Sequence, residues 1–550
     1  MGKIHRIFKI EKPFLNKGIK PTLVIKVNSR TFWLCGIAIL LLFPALLINL
    51  GLLTFIDDEG IRSLVALEMK LSDNYIVPTL NGDYYYNKPP LYNWFLLIFF
   101  SISGKFNEYT ARIATIFCLL GYAATIFYYL RKHFDAKTAF LNAFVFITCG
   151  RILFWDSMLG LIDIGFSWVT FTSFMVIYHQ FKKGNYWALF LLSYFLTALG
   201  FLMKGLPAVV FQGFTLLAFF IYQKQFRKLF SIPHIVGGLL FVAVVAAYYL
   251  VYNEYHSLSH IFITLFTESS KRTAVQYGIG RTILHLFTFP FEMVYHFLPW
   301  SLMIVYFIRR DIWKLIRQND FITYIFIIFL ANILVYWTSV EVFPRYLLMH
   351  APLLFSVFLY LHSIHKAENS IAYRTLDRLF LFVLAAMALG SFAPLFISQT
   401  QSAAFLIPKT LSVGIALVTI AILYQRWKPQ RLLLIILFLI VFRIEFDWFV
   451  LPDRNVNDFG DVCRQSSIDV GQTFADQPLY LYKDTQLQTT NSFYITKERQ
   501  QIVYRHLDHF NPNALYIIDP VLYPNVPYEK LAELKLRHDR LTFYVVKLKR

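Results

Sequence analysis

Long apolar runs recur along this sequence and constrain its fold more than any other feature. The first extends from Phe32 to Ile56 without a charged residue, and comparable runs follow as far as about residue 447. A run of about 17–25 apolar residues can cross the hydrocarbon core of a bilayer as a helix. Because 57% of the 550 residues are hydrophobic and only 15% are charged, we expect an α-helical polytopic membrane protein.

Basic residues predict the orientation of the chain in the membrane. Residues 1–30 contain eight Lys and Arg against one acid, Glu11, which places this end in the cytoplasm by the positive-inside rule. This segment does not read as a cleavable signal, because the apolar run after it is too long. The net charge of +19 lies largely in short loops between apolar runs, so it indicates membrane orientation and no nucleic-acid partner.

Thirteen spanning helices put every basic loop on the cytoplasmic side. A further apolar segment, 91–103, is short and would move Arg131 and Lys132 outside if it crossed, so we predict that it lies along the outer interface. An odd number of spans places the C-terminus outside. The predicted spans are 31–56, 111–130, 139–155, 163–181, 187–203, 206–223, 234–252, 290–308, 321–338, 346–363, 379–398, 405–424 and 431–447.

The composition becomes polar after about residue 447. Short β-like runs at 478–482, 514–518 and 541–546, with a helical stretch predicted at 528–536, indicate a small α/β domain. The four cysteines are scattered, which indicates neither a disulfide framework nor a zinc site. The predicted organisation is a basic N-terminus (1–30), a transmembrane domain (31–447) with main outer loops 57–110 and 253–289, and an outer α/β domain (448–550).

Charged side chains at the outer ends of the spans are the candidate functional residues, because ionisable groups near the membrane are costly to place. Lys and Arg orient phosphate oxygens, and an Asp can act as a base or hold sugar hydroxyls. Structural alternatives exist: Asp57 as a solvated helix end, and Lys204 as a side chain that snorkels to the interface. The candidates are Asp57, Asp58, Glu59, Lys88, Asp156, Asp163, Lys204, Glu268, Lys271, Arg272 and Arg345.

The first outer loop and several later segments contain short sequence motifs that occur together in a known protein family. The stretch "DDEGIRSLVALEMKLSDNYIVPTLNGDYYYNKPPLYNWF" begins at Asp57, and later motifs are "LIDIGFSW" from Leu161, "KGLP" from Lys204, "FLPW" from Phe297 and "RY" at 345–346. Together they resemble the GT-C glycosyltransferases of the protein O-mannosyltransferase superfamily. The resemblance is closest to the bacterial aminoarabinose transferases that modify lipid A, and it covers about residues 31–360.

The resemblance implies a sugar donor on a polyprenyl phosphate such as undecaprenyl phosphate. It implies roles for individual residues as well, in three groups. The catalytic group is Asp58, Glu59 and Asp163, with Asp156 as the alternative to Asp163. The donor-phosphate group is Lys88, Lys204, Arg272 and Arg345, and the acceptor or other site group is Glu268 and Tyr346.

One departure concerns metal binding. Asn87 and Ser269 stand where the aminoarabinose transferases have metal-ligand motifs, so the resemblance implies no certain cofactor here, with a divalent metal as the open alternative. Glu292 and His296, one turn apart, are expected to be satisfied by neighbouring helices.

The sequence thus predicts a transferase, inverting at the sugar, at the outer (periplasmic) face of the bacterial inner membrane. The acceptor is a lipid, glycan or protein. Three alternatives stay open: a lipid A aminoarabinose transferase proper, a transporter or flippase of a lipid-linked substrate, and a non-catalytic scaffold for the C-terminal domain. A transporter would place its ionisable residues near the bilayer midplane, whereas here they lie at one rim.

Overall fold

The computed structural model describes residues 29–270, 278–508, 510–537 and 540–549, and this part of the chain is mostly helical. The α-helices are α1 (Ser29–Leu47), α2 (Glu59–Ser72), α3 (Leu91–Ser103), α4 (Glu108–Leu130), α5 (Ala136–Ile147), α6 (Gly150–Phe154), α7 (Ile162–Lys182), α8 (Tyr186–Lys204), α9 (Pro207–Tyr222), α10 (Ile232–Tyr255), α11 (Ile261–Ser270), α12 (Ile279–His296), α13 (Ile312–Ile316), α14 (Asp320–Trp337), α15 (Ala351–Ala367), α16 (Ile371–Gly390), α17 (Leu406–Arg426), α18 (Arg431–Glu445), α19 (Leu451–Asn457), α20 (Gly460–Thr473) and α21 (Thr489–Arg499).

Seven of the described helices are long and apolar enough to cross a membrane: α1, α4, α8, α10, α14, α16 and α17. An eighth span results if α5 and the segment 150–158, bent by 47° relative to each other, are taken as one. The predicted multi-pass architecture is therefore confirmed, while the count of thirteen stays a prediction. Helix α18 lies inside the bundle, since nearly all of its side chains are buried.

Several predicted spans differ from the structure: α1 ends at Leu47, before the predicted end at Ile56, and the predicted span 139–155 is broken between α5 and α6. The clearest difference is at 290–308. Residues 290–308 do not form one helix: α12 begins at Ile279 and ends at His296, and a separate 3-10 helix covers Trp300–Phe307. Pro299 lies at the break, and proline has no N–H to continue a helical hydrogen-bond ladder. The chain therefore changes direction where an uninterrupted crossing was expected.

The C-terminal domain contains a five-stranded mixed sheet. Its strands are β3 (Leu479–Tyr482), β4 (Arg505–His506), β5 (Leu515–Ile518), β6 (Tyr528–Lys535) and β7 (Thr542–Leu548), in the order β4-β3-β5-β7-β6. The three predicted β-runs are confirmed by β3, β5 and β7. The predicted helix at 528–536 is wrong: this segment is β6, which pairs antiparallel with β7. Its Glu, Lys and Leu residues suit a helix, but pairing with the apolar strand β7 decides its structure.

The loop after α1, which is predicted to lie outside, packs directly against the C-terminal domain. Helix α2 lies against α21 so closely that a Cβ at Gly60 would come within 2.8 Å of the Thr490 hydroxyl. Phe55 meets the ring of Phe493 edge-on at 4.9 Å, and the Tyr494 hydroxyl donates to Glu108 at the start of α4. The loop also contains a small hairpin, β1 (Thr79–Leu80) with β2 (Asp83–Tyr84). The domain thus forms one wall beside the charged rim.

Candidate active site

Arg345 lies at the centre of a charged cluster. It belongs to the 3-10 helix Pro344–Leu347, and its side chain is only 5% exposed. Its Nη1 donates to Asp57, its Nη2 lies 3.7 Å from the Asp58 Oδ2, and its Nε lies 3.5 Å from the Asp163 Oδ2. Burial alone would lower the pKa of the Arg345 guanidinium. The negative charges of the three carboxylates outweigh this effect, so the pKa of Arg345 is above its ordinary value. One guanidinium therefore connects the predicted outer loop 57–110 with the first turn of α7.

Asp163 adds a second cation to this cluster. It stands in the first turn of α7 with its side chain 6% exposed, and it accepts a hydrogen bond from the Lys204 ammonium at the end of α8. The same ammonium lies 4.1 Å from the centre of the Tyr346 ring. Lys204 and Arg345 thus share one buried carboxylate, which keeps two positive charges close together, and the Tyr346 ring lies beside both cations.

Asp57 and Asp58 differ in how firmly they are held. The Asp57 backbone has φ +58°, the left-handed region, and Asp58 is the N-cap residue of α2. Asp57 is paired with Arg345, whereas Asp58 forms only a 3.7 Å contact with Arg345 and has the more exposed side chain, 47% against 36%. Asp58 is therefore the less tightly paired of these two carboxylates, although both side chains are partly open to solvent.

Glu59 is oriented into the protein interior. Its side chain is fully buried, and Arg112 on α4 donates to both of its oxygens, at 2.9 and 3.0 Å. The backbone N–H groups of Gly160 and Ile56 also donate to these oxygens, at 2.6 and 2.8 Å. Both Glu59 oxygens therefore accept hydrogen bonds from within the protein. Of the three predicted catalytic residues, Asp58, Glu59 and Asp163, Glu59 does not face the same space as the other two.

A second buried glutamate, which the sequence reasoning did not single out, shapes the same loop. Glu68 on α2 accepts from the Thr79 hydroxyl at 2.7 Å and from the Asn81 and Gly82 backbone N–H groups at 2.7 and 3.2 Å. Burial raises its pKa to about 7, although these three hydrogen bonds lower it. The only signal in the sequence is a lone acid on the apolar face of a short helix.

An apolar groove is lined in part by residues that follow Arg345 in the chain. Its volume is about 390 Å³, and it is lined almost wholly by carbon, with Leu347 only two residues after Arg345. Its walls come from α12, α14 and α15 and include Phe289, Phe329 and Phe355. A long hydrocarbon chain fits such a surface, since burying apolar area is favourable.

The remaining predicted site residues are distributed differently. Lys88 is half-buried in the first outer loop, Arg272 and Lys271 lie outside the described residues, and the Glu268 side chain is not described. Asp156 is buried and forms an ion pair with Arg151 at 2.9 Å. It is not one of the carboxylates that pair with Arg345. Among the described residues, no group of three or more His, Cys, Asp or Glu side chains is arranged to hold a metal ion.

The polytopic helical domain, the charged rim and the small C-terminal sheet domain together define a GT-C fold. Residues 87–252 match the family of dolichyl-phosphate-mannose-protein mannosyltransferases. The crystal structure of ArnT from Cupriavidus metallidurans bound to undecaprenyl phosphate matches with a TM-score of 0.66 at 16% identity, over 94% of this chain and 99% of that chain. At this identity the likeness shows the fold alone.

Sequence relatives agree with the predicted resemblance, which is confirmed. The undecaprenyl phosphate-alpha-4-amino-4-deoxy-L-arabinose arabinosyl transferase of Shewanella sediminis is 29% identical over 32% of this chain and 33% of its own length. A transferase of the same description from Proteus mirabilis is 26% identical over 47% of this chain and 49% of its own length. The chain thus aligns with between a third and a half of the length of these two curated relatives.

Proposed function

We propose that this protein is an integral membrane glycosyltransferase that moves a sugar from a polyprenyl-phosphate donor to an acceptor at the outer face of the bacterial inner membrane. The observation that carries the proposal is the cluster of the Arg345 and Lys204 cations with half-exposed Asp58, together with the apolar groove lined by Leu347, two residues after Arg345. The groove would take the polyprenyl chain, and the cluster would take the sugar phosphate. The similarity to polyprenyl-phosphate-dependent transferases supports the same reading.

The cations would act on the leaving group. When the bond between the anomeric carbon and the phosphate oxygen breaks, its electron pair stays on the phosphate, which gains negative charge. Arg345 and Lys204 would stabilise this charge because they are already held in place by Asp163 and need not reorganise. Lys88 and Arg272 are proposed as further phosphate-binding residues on the basis of the resemblance.

Asp58 would act on the acceptor. An acceptor hydroxyl would attack the anomeric carbon from the face opposite the phosphate, while the Asp58 carboxylate accepts its proton. This single displacement inverts the configuration at the sugar. We propose Asp163 as the residue that positions both cations, and Glu59 as a residue that holds the loop through Arg112, so Glu59 has no direct contact with substrate.

The direct test is to compare envelope lipids and glycans, by mass spectrometry, with and without the gene. The proposal predicts that one component lacks a sugar in the deletion strain, and that wild type restores it while Asp58→Asn does not. Unchanged lipids and glycans in the deletion strain, or restoration by Asp58→Asn, would contradict the proposal.

A narrower candidate is a lipid A aminoarabinose transferase proper, which the names of the two curated relatives favour. It predicts that the missing residue is an aminopentose on lipid A. Asn87 and Ser269, which replace metal-ligand motifs of that group, weigh against identical chemistry. The same mass spectra separate the two, because a neutral hexose or an acceptor other than lipid A would exclude the narrower function.

A further inference from the structure

A basic cavity lies at the opposite end of the bundle from the charged rim. It has a volume of about 290 Å³, and four cations line it: Lys137, Lys366, Lys428 and Arg431. Helix α15 starts six residues after Arg345 and ends at Ala367, so it separates Lys366 from the rim by roughly 25 Å at 1.5 Å per residue. The loops that supply the cavity are the ones predicted to face the cytoplasm.

The four positive charges in this cavity are only partly neutralised by the two carboxylates that also line it, Asp135 and Asp377. Arg431 is paired with Asp377 at 2.5 Å, and the second Asp377 oxygen accepts from the Tyr424 hydroxyl at 2.9 Å. Lys137 donates to a neutral group, the Pro429 carbonyl, at 2.7 Å. Within the described ranges, no carboxylate lies within 4.0 Å of Lys137, Lys366 or Lys428. The cavity therefore has an excess of cations around an open volume, which attracts an anion.

The lining also includes apolar side chains, which lie deeper than the lysines, together with hydroxyl, imidazole and carboxylate groups. Leu141, Leu376 and Phe380 are buried, whereas Lys366 and Lys428 are exposed. A cavity with apolar side chains in its interior and lysines at its opening suits a molecule that has a phosphate beside a hydrocarbon chain better than it suits inorganic phosphate. Basic pockets between membrane helices on the cytoplasmic side are a known way of binding anionic lipid head groups.

We propose that this cavity binds the phosphate head group of an anionic phospholipid from the inner leaflet, with the first part of an acyl chain against the apolar wall. The site is distinct from the proposed donor site, because it lies at the other membrane face and shares no lining residue with it. It does not depend on the proposed transferase activity. Its occupation would anchor α5, α15, α16 and α18 at the loops where they meet.

The test is native mass spectrometry of the full-length protein in detergent, with added phosphatidylglycerol, phosphatidylethanolamine or inorganic phosphate. We expect wild type to retain one phosphatidylglycerol in preference to the zwitterionic lipid. A cation at a membrane surface contributes about 1 kcal/mol, so Lys428→Gln should weaken retention about fivefold and the double variant with Lys366→Gln about thirtyfold.

The matched control is the double variant Lys183→Gln with Lys224→Gln. Both lysines are exposed, lie in predicted cytoplasmic loops and do not line the cavity. Retention that falls in the cavity variants and not in the control supports the site. Equal losses in both would mean general attraction to a basic surface and would overturn it. Displacement of the lipid by inorganic phosphate at equal concentration would also overturn it, in favour of a free-anion site.

Discussion

The Glu59 carboxylate and the Arg112 guanidinium form a two-point ion pair that is closed to solvent, with Nε–Oε1 2.9 Å and Nη2–Oε2 3.0 Å. Arg112 also donates to the Leu50 and Leu53 carbonyls, each at 2.9 Å, at the end of the first membrane segment. The pair therefore joins α4 to the turn that presents Asp57 and Asp58. The pair thereby holds this turn in place.

Glu59→Gln should destabilise the protein, because it leaves the Arg112 charge buried without its counter-ion. Breaking such a pair costs about 3–5 kcal/mol, which thermal unfolding of the purified protein in detergent would show. The control is Glu368→Gln, which removes a partner from an exposed pair with Arg309 and should cost less than about 1 kcal/mol. A Glu59→Gln protein with normal stability and no transferase activity would show instead that Glu59 is catalytic.

Stability should depend on the ionisation of Glu68. Its pKa is about 7 in the folded protein against 4.5 ordinarily, so between these values the folded state holds a proton that the unfolded state releases. Stability therefore falls as the pH rises from about 4.5 to about 7, by on the order of 3 kcal/mol for this group, and then levels off. The unfolding midpoint of Glu68→Gln should fall less over this range. Identical pH profiles for the two proteins would refute the assignment.

Lys88→Ala should weaken use of the polyprenyl-phosphate donor without unfolding the protein. A hydrogen bond to a charged group contributes about 1.5–3 kcal/mol, which corresponds to a loss of roughly ten- to a hundredfold in kcat/KM for the donor. Lys105→Ala is the matched control, because Lys105 is an exposed lysine of the same outer loop and should keep wild-type kinetics. Wild-type donor kinetics in Lys88→Ala would remove this residue from the site.

The predicted orientation can be tested with an impermeant thiol reagent on intact cells. Asn457 is the last residue of α19, near the start of the C-terminal domain, and Gly184 lies in the loop between α7 and α8; both are exposed. Asn457→Cys should react from outside, while Gly184→Cys should react only after the membrane is permeabilised. Labelling of Gly184→Cys in intact cells would show that the predicted topology is inverted and that the proposed active site faces the cytoplasm.

The sequence predicted the parts of the molecule that repeat a simple pattern. Apolar runs located most of the helices, and alternating residues located β3, β5 and β7. The rim residues Asp57, Asp163, Lys204 and Arg345 were expected on one face from the charges of the loops, and the structure brings them together. These predictions succeed because hydrophobic length and charge act locally, within one segment at a time.

Predictions that depended on tertiary contacts were less successful. The direction of each carboxylate in the Asp57–Glu59 turn depends on Arg345 and Arg112, which are distant in sequence. The strand β6 depends on pairing with β7. Arg443 and Asp447 form a buried pair at 2.7 Å at the end of α18, and the signal for it was present, since two opposite charges stand four residues apart at the end of an apolar run.

We propose that Asp58 is the carboxylate that acts on substrate, while its neighbour Asp57 holds Arg345. The measurement is transfer of sugar from the lipid-linked donor in purified membranes that contain wild type, Asp57→Asn or Asp58→Asn at equal expression. We expect Asp58→Asn to abolish transfer with donor binding retained, because an amide cannot accept the proton, and Asp57→Asn to keep most of the activity. If Asp58→Asn were active and Asp57→Asn inactive, this assignment would be wrong, and the catalytic role would belong to Asp57.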